Sequence, residues 1–569
     1  MRFLVLTTVV GCGWNYEHAE RDPGSSYSSI DTGIWIDTSE PDTGDTGDTG
    51  EPVESDIASV ALYPDGLTVH AGASWPLRMI GTWDDGHVAD LSLGDVIWSS
   101  DDQDVLSVDK AGMVTAVGVG SATLTGEVES HSATVSATVT DDGMVTVQVV
   151  DALTGEPVQS AKLKVFEGDV FTSSADGLIE APVDDGGPIA ISVYLSGYIP
   201  VTVWGTISRE MTIPLHTDAD FNPEASTVSG AGNFENVDDG GISDMVIGLV
   251  VPSFQAGPLL MEPANLLSAN RSVTIYGIDA NVPSNLMVQE HAENFEAPAH
   301  PGTVAVWGMA GALPISEVTS GLNGTDEAIE LLRDNLDVMS WGWSEVGSLE
   351  AGESHEMVFS PSVGFSSAQT VQVGDLPLGF SGDEDPLVMI GEWLPGSGAV
   401  VTGLGLGTGD VVVQLAPEAI EGSERTIAMV VAQVDGLGSE GATCAAWADV
   451  SDDADVVLPA LQEVPVVESF DAITHEFALS SDARSSYVRV LIESSSGTQR
   501  MMYMASGAQA GEMPNPGFPM GYGNTQWTVL AMETQANTFE GMVSGGDLLA
   551  RELALRSWTS SRVGQNFSN

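Results

Sequence analysis

Ala133-Thr134-Val135-Ser136-Ala137-Thr138-Val139 sets an aliphatic residue at every second position with a hydroxyl residue between, and Ser121-Ala122-Thr123-Leu124-Thr125 does the same upstream. Side chains alternate across a strand, so this period of two puts one face on a core and the other in water, as in antiparallel sheets solvated on one side. Turn signals at Asp85-Gly86, Ala111-Gly112 and Gly118-Val119-Gly120 cut the neighbouring sequence into short strands. That rhythm predicts a small β-sandwich over residues 56–141.

Three further stretches sharpen the reading: Gly81-Thr82-Trp83-Asp84-Asp85-Gly86, Val96-Ile97-Trp98-Ser99-Ser100-Asp101-Asp102, and Val105-Leu106-Ser107-Val108-Asp109. With Gly112-Met113-Val114-Thr115-Ala116-Val117-Gly118 they resemble the group 2 bacterial Ig-like domain of invasin- and intimin-type surface proteins. The resemblance implies a spacer or adhesive module and no enzyme. It makes Trp98 a core tryptophan whose N–H needs a partner.

Residues 143–216 read as a second sandwich. Met144 to Val150 and Ala161 to Phe166 are strands separated by the turn Thr154-Gly155-Glu156-Pro157-Val158. Ala175-Asp176-Gly177 is a hairpin turn in which glycine can take a positive φ. Ile189 to Leu195 is another strand, ending at Ser196-Gly197-Tyr198. The pattern is similar to the carboxypeptidase regulatory-like, transthyretin-related sandwich, an accessory fold without a peptidase site.

The amino terminus reads as an export address. Met1-Arg2 is a small basic start, Phe3 to Val10 is apolar, and Val9-Val10-Gly11-Cys12 follows. These residues resemble the lipobox of bacterial lipoproteins. The resemblance implies a signal peptide over 1–11, cleavage before Cys12 and acylation of Cys12. Acyl chains on one residue hold a soluble body to a bilayer through burial of their methylenes, whereas a spanning helix would need about 20 apolar residues. Gly13 rather than aspartate after the cysteine favours the outer membrane in the best-known sorting scheme. Residues 12–55, with Asp42-Thr43-Gly44 repeated through Gly50, bury too little apolar surface to offset their ordering entropy. They read as a spacer, since their aspartates lack the ligand spacing of a calcium loop.

The 82 acidic residues face 16 basic ones, a formal net charge of −66. Such a surface repels phosphate backbones, which excludes nucleic-acid partners. The two cysteines, Cys12 and Cys444, form no Cys/His cluster, so no structural zinc site is implied. Cys444 sits in apolar sequence and reads as a buried, inert thiol.

Residues 217–569 resemble no family. Strand-like runs recur at Met245–Val251, Ser272–Tyr276, Thr303–Trp307, Ala399–Leu406, Asp410–Leu415, Thr426–Val434, Ser486–Glu493 and Gln526–Thr534. A single helix is predicted at Asp326–Leu336, capped by Thr325 with Ile329, Leu332 and Leu336 on one face. The acidic turn Ser381-Gly382-Asp383-Glu384-Asp385-Pro386 marks a boundary between two β-rich units, 217–380 and 381–569. His355-Glu356 and His475-Glu476 lack the second histidine of a zinc-peptidase helix. His291, Glu293, Glu296 and His300 read as solvated turn residues. Thr402-Gly403-Leu404-Gly405-Leu406-Gly407 has no lysine or helix after it and reads as strand, not phosphate cradle. Trp341-Gly342-Trp343 would put two indoles on one strand face, a candidate platform for stacking on sugar rings.

The fold class is thus all-β: tandem sandwiches, Ig-like then transthyretin-like, followed by a larger β-rich region. The function expected is non-catalytic and structural or adhesive, in a lipid-anchored envelope protein with no catalytic residues, no metal and no cofactor. Its partners are the membrane, through Cys12, and a surface glycan or protein. The alternatives are a glycan- or peptide-binding surface protein acting through the C-terminal region, with Trp341 and Trp343 as candidate stacking residues, and an enzyme with its catalytic domain in 217–569.

Overall fold

The computed structural model describes residues 57–568 apart from segments at 84–87, 184–186, 218–225, 235–243, 254–269, 315–336, 378–385, 417–419, 435–441, 451–455, 514–523, 535–538 and 545–556 and some shorter ones. Cys12, the spacer over 12–55, the helix expected at Asp326–Leu336, His300 and the acidic turn at 381–385 lie outside the described residues. The described chain is built of strands, with one short helix, Phe539–Ser544, among the described residues.

In the first sandwich the alternating strands pair with each other, Gly120–Val128 antiparallel to His131–Thr140. Leu124, Val135, Ala137 and Val139 are buried while Ser132, Thr134, Ser136 and Thr138 face water. Trp98 departs from expectation. It is only half-buried, its ring lies between Gly112 and Gly126, and its Nε1 has no hydrogen-bond partner among the described atoms. The fully buried tryptophan of this core is Trp75.

The second sandwich has strands Met144–Asp151, Lys162–Val165, Val170–Thr172, Leu178–Pro182, Ile189–Tyr194, Val201–Thr206 and Glu210–Leu215. Its first strand runs antiparallel to the fourth and parallel to the seventh. The second, third, fifth and sixth form the facing sheet. The expected turn glycine, Gly177, has φ 73°, and a Cβ there would stand 2.4 Å from the Val149 carbonyl oxygen. Both the backbone conformation and the space demand glycine, so Gly177→Ala is expected to cost about 2 kcal/mol. The check is a lowered denaturation midpoint with an unchanged slope.

That strand order recurs. After residue 217 the strands fall into three sets rather than the two segments expected from sequence. In the third sandwich the first strand, Ser226–Gly232, is antiparallel to Asn294–Ala299 and parallel to the last, Ser354–Phe359. The facing sheet is Leu286–Val288, Asp244–Pro252, Gly302–Pro314 and Asp337–Leu349. A hairpin, Asn270–Ile275 with Ile278–Pro283, is inserted after the second strand.

The fourth sandwich repeats the scheme. Ser367–Val373 lies antiparallel to Gly409–Leu415 and parallel to Val456–Val457. Gly398–Leu406, Leu387–Leu394, Arg425–Val434 and Ala442–Asp449 form its second sheet.

The fifth has Gln499–Met504, Tyr487–Ser494, Asn524–Thr534 and Ser557–Ser568 in one sheet and Glu476–Ser480 beside Gln509–Glu512 in the other. Here the slot of the parallel seventh strand is taken by Val466–Phe470, which precedes the first strand in sequence and pairs with it antiparallel.

The sandwiches are fused edge to edge. Val201–Thr206 of the second pairs in parallel with Gln499–Met504 of the fifth. Ala442–Asp449 of the fourth pairs antiparallel with Ser557–Ser568 of the fifth. The result is one continuous 15-stranded sheet. The third sandwich lays its sheet face to face on the fourth, so Leu387–Leu394 and Gly398–Leu406 are covered on both sides. Strands buried on both faces read as unbroken apolar runs, which is why Val388-Met389-Ile390 and Ala399-Val400-Val401 show no alternation.

Candidate functional site

The expected tryptophan pair belongs to this inter-sandwich layer. Trp341 is 1% exposed, and its Nε1 donates to the Val401 carbonyl at 2.7 Å across the interface. Trp343 is half-buried and packs on the same cluster, with Trp307, Met389, Val400 and Trp447. The exposed stacking platform is therefore corrected. Residues two apart do share a strand face, but the fourth sandwich covers that face.

At the rim of this layer, the Arg425 guanidinium lies 4.7 Å from the ring centre of Trp447 and 5.3 Å from that of Trp393. It also reaches Asp449 at 3.6 Å. A cation between two indoles with a carboxylate beside it fixes the edge of the packed layer.

The histidine-glutamate pairs sit on strand and turn. His355-Glu356 lies within Ser354–Phe359, and His475 occupies a turn at φ 60°. Burial, and then the nearby Arg500 charge, lower the pKa of His475. Gly403 lies where a Cβ would meet the Gln414 carbonyl at 2.5 Å, the close strand approach of a sheet corner. Cys444 is fully buried with Sγ donating to the Gln462 carbonyl at 3.3 Å. Burial drives its pKa strongly upward, with Glu463 adding to the effect, so it stays a thiol.

Three polar arrangements were not legible in the sequence. Arg500 is wholly buried where the fifth sandwich joins the second, and its Nη2 and Nε donate to Thr202 Oγ1 at 2.7 and 3.1 Å. Glu540, on the short helix, accepts from Thr206 Oγ1 at 2.6 Å and from the backbone N–H of Ile207 and Ser208 at 3.1 and 3.3 Å. The next residue, Arg209, donates its N–H to Thr68 of the first sandwich at 2.7 Å.

The third arrangement surrounds the Gln462 carboxamide, which is wholly buried. Ser485 Oγ donates to its Oε1 at 2.8 Å, and its Nε2 approaches Glu533 Oε2 at 3.5 Å and the Thr559 carbonyl at 3.3 Å. The Thr559 hydroxyl in turn reaches the same Glu533 oxygen at 3.3 Å. Glu533 and Thr559 face each other across the ladder of the last two strands, while Gln462 and Ser485 come from connections. The pairing register brings Glu533 and Thr559 together and the two connections add Gln462 and Ser485, so no spacing in sequence announces them.

Comparison with known proteins assigns the first part of the chain. Residues 56–165 match the bacterial Ig-like domain (group 2), running past the expected boundary at 141. Ice-binding protein 1 of Shewanella frigidimarina is 29% identical over 142 residues, which is 23% of this chain and 16% of that protein. The chain thus spans about a sixth of the relative it matches.

Among solved structures, the TIE protein of Bacillus anthracis covers 71% of this chain, and 74% of its own chain is covered, at 9% identity and a TM-score of 0.13. Domains 5–6 of the S-layer protein SbsC cover 43% of this chain and 98% of their own, at 14% identity and a TM-score of 0.14. Likenesses at these scores carry no argument about fold or function.

Proposed function

We propose that this chain is a lipid-anchored envelope protein whose work is structural or adhesive, presenting a rigid β body away from the membrane on the acidic spacer of residues 12–55. The observation that carries the reading is the join of Val201–Thr206 to Gln499–Met504. The fifth sandwich returns to the second, so the chain closes on itself through main-chain hydrogen bonds. A body closed in this way transmits load as one piece. The Ig-like match at 56–165 supports the same reading. No helix among the described residues is long and apolar enough to cross a membrane, and attachment in this reading falls to Cys12.

The test is Cys12→Ala in the native host. The wild-type chain is expected in the membrane fraction and the variant in the soluble fraction, because acyl chains supply the membrane affinity. An unchanged distribution would remove the anchor from the reading. Attachment of the same two strains to glycan-coated surfaces tests the adhesive arm, which requires the tethered protein to give the stronger attachment.

A further inference from the structure

We propose that Gln462 and Thr559 form an intramolecular ester, tying the connection between the fourth and fifth sandwiches to the final strand. The four side chains around the Gln462 carboxamide hold the parts of an acyl transfer. Thr559 supplies the hydroxyl, Gln462 the acyl carbon, Glu533 a carboxylate shared by both, and Ser485 a hydroxyl aimed at the carbonyl oxygen.

The step balances without any co-reactant. Thr559 Oγ1 passes its proton to Glu533 Oε2 as it bonds to Cδ of Gln462, and the carbonyl electron pair moves onto Oε1. The Ser485 hydroxyl, 2.8 Å from Oε1, stabilises that developing negative charge. Collapse of the tetrahedral intermediate breaks the Cδ–Nε2 bond. Nε2 takes the proton from Glu533 and leaves as ammonia, which restores the carboxylate. One oxygen of Glu533 thus touches both the nucleophile, at 3.3 Å, and the leaving nitrogen, at 3.5 Å. Such contacts are long in a resting state and shorten in the reacting one.

The surroundings favour the reaction over its competitors. Gln462, Ser485 and Thr559 are each at most 2% exposed, which keeps water from attacking the carboxamide or the ester. Neighbours brought to about 3–3.5 Å between reacting atoms gain a large effective concentration, on the order of 10⁵ M. Cys444, the stronger intrinsic nucleophile nearby, is held as a thiol by its burial and does not compete. Ammonia released to solvent makes the link one-way. Gln462 lies between Val456–Val457 and Val466–Phe470, so the ester would carry tension from the fourth sandwich directly to the last strand.

The experiment is mass spectrometry of the purified full chain after denaturation and digestion. The expected result is a linked pair of peptides containing Gln462 and Thr559, lighter than their sum by one ammonia. Mild alkali should split the pair and leave glutamate at 462. Thr559→Val and Glu533→Gln should each give the two peptides separately at full mass, a readout that a purely packing role for these residues would not move. The wild-type measurement decides the matter even if a variant fails to fold. Separate peptides of full mass from the folded wild-type chain overturn the proposal, and a link to Ser485 in place of Thr559 overturns the assignment of the nucleophile.

Discussion

Trp341→Ala is expected to lower the stability of the third and fourth sandwiches by about 4 kcal/mol, the cost of emptying a large aromatic site in a packed interior. Two losses combine. The indole faces a layer formed by Val400, Met389 and Trp447, which cannot close over so large a void without moving two sheets. The Val401 carbonyl also loses its 2.7 Å donor and is left buried. Trp341→Phe separates the two, since it keeps most of the volume and removes only the N–H, at about 1–2 kcal/mol. Denaturant unfolding of the full chain, followed by hydrogen exchange at residues 399–401, gives both numbers. A change below about 0.5 kcal/mol for the alanine variant would mean that the site behaves as surface, and the stacking platform would return to consideration.

The same residue shows where the sequence was readable and where it was not. Alternation in Ala133–Val139 reports a strand wet on one face, and it placed the first sandwich because that sheet is solvated there. Strand runs such as Thr426–Val434 and Gln526–Thr534 were visible from β-branched and apolar content, and their observed limits, Arg425–Val434 and Asn524–Thr534, differ by one or two residues. Fusion of the sandwiches was not visible. A one-faced strand and an inter-sandwich strand differ only in what covers the second face, which is a property of partners far along the chain, 60 residues away for the Trp341–Val401 contact. Trp341-Gly342-Trp343 is legible as two indoles on one side; that the side is dry depends on Val400 and Trp447.

The repeated strand order was hidden for a related reason. Topology is carried by hydrogen-bond partners, and the third sandwich interrupts the count with the hairpin at Asn270–Pro283. The fifth conceals it further by filling the seventh slot with an antiparallel strand from upstream. The buried polar groups had no sequence signature at all. Arg500 sits in Gln499-Arg500-Met501-Met502, and nothing in that string marks its guanidinium as the group that closes the second sandwich against the fifth.

Glu540 carries the other large expected effect, because it sits where three parts of the body meet. Its carboxylate satisfies the Thr206 hydroxyl and two backbone N–H groups in the turn whose next residue bonds the first sandwich. Glu540→Ala leaves the Thr206 hydroxyl and the Ile207 N–H buried without this acceptor, at about 1–3 kcal/mol each, while the Ser208 N–H keeps Thr206 Oγ1 at 3.0 Å; removal of a desolvated charge offsets part of the loss. A net loss of about 2–3 kcal/mol is expected, with faster hydrogen exchange at Ile207, Ser208 and Arg209 while Val488 and Val490 stay protected.

The group also predicts a pH dependence of definite sign. Burial raises the Glu540 pKa above the ordinary carboxylate value, outweighing the opposing pull of Thr206, Ile207, Ser208 and the Arg209 charge. The folded chain therefore holds this proton more tightly than the unfolded one, so its stabilising contribution is fully present below the unfolded value and is lost as pH rises through the raised one. Glu540→Gln removes the titration while keeping the shape. The stability of the wild type minus that of Glu540→Gln is then expected to be largest in acid and to fall as pH climbs from the ordinary carboxylate value through the raised one. A difference that stays flat across that window, or rises with pH, would show that the carboxylate is better solvated than its place between the helix and the turn implies.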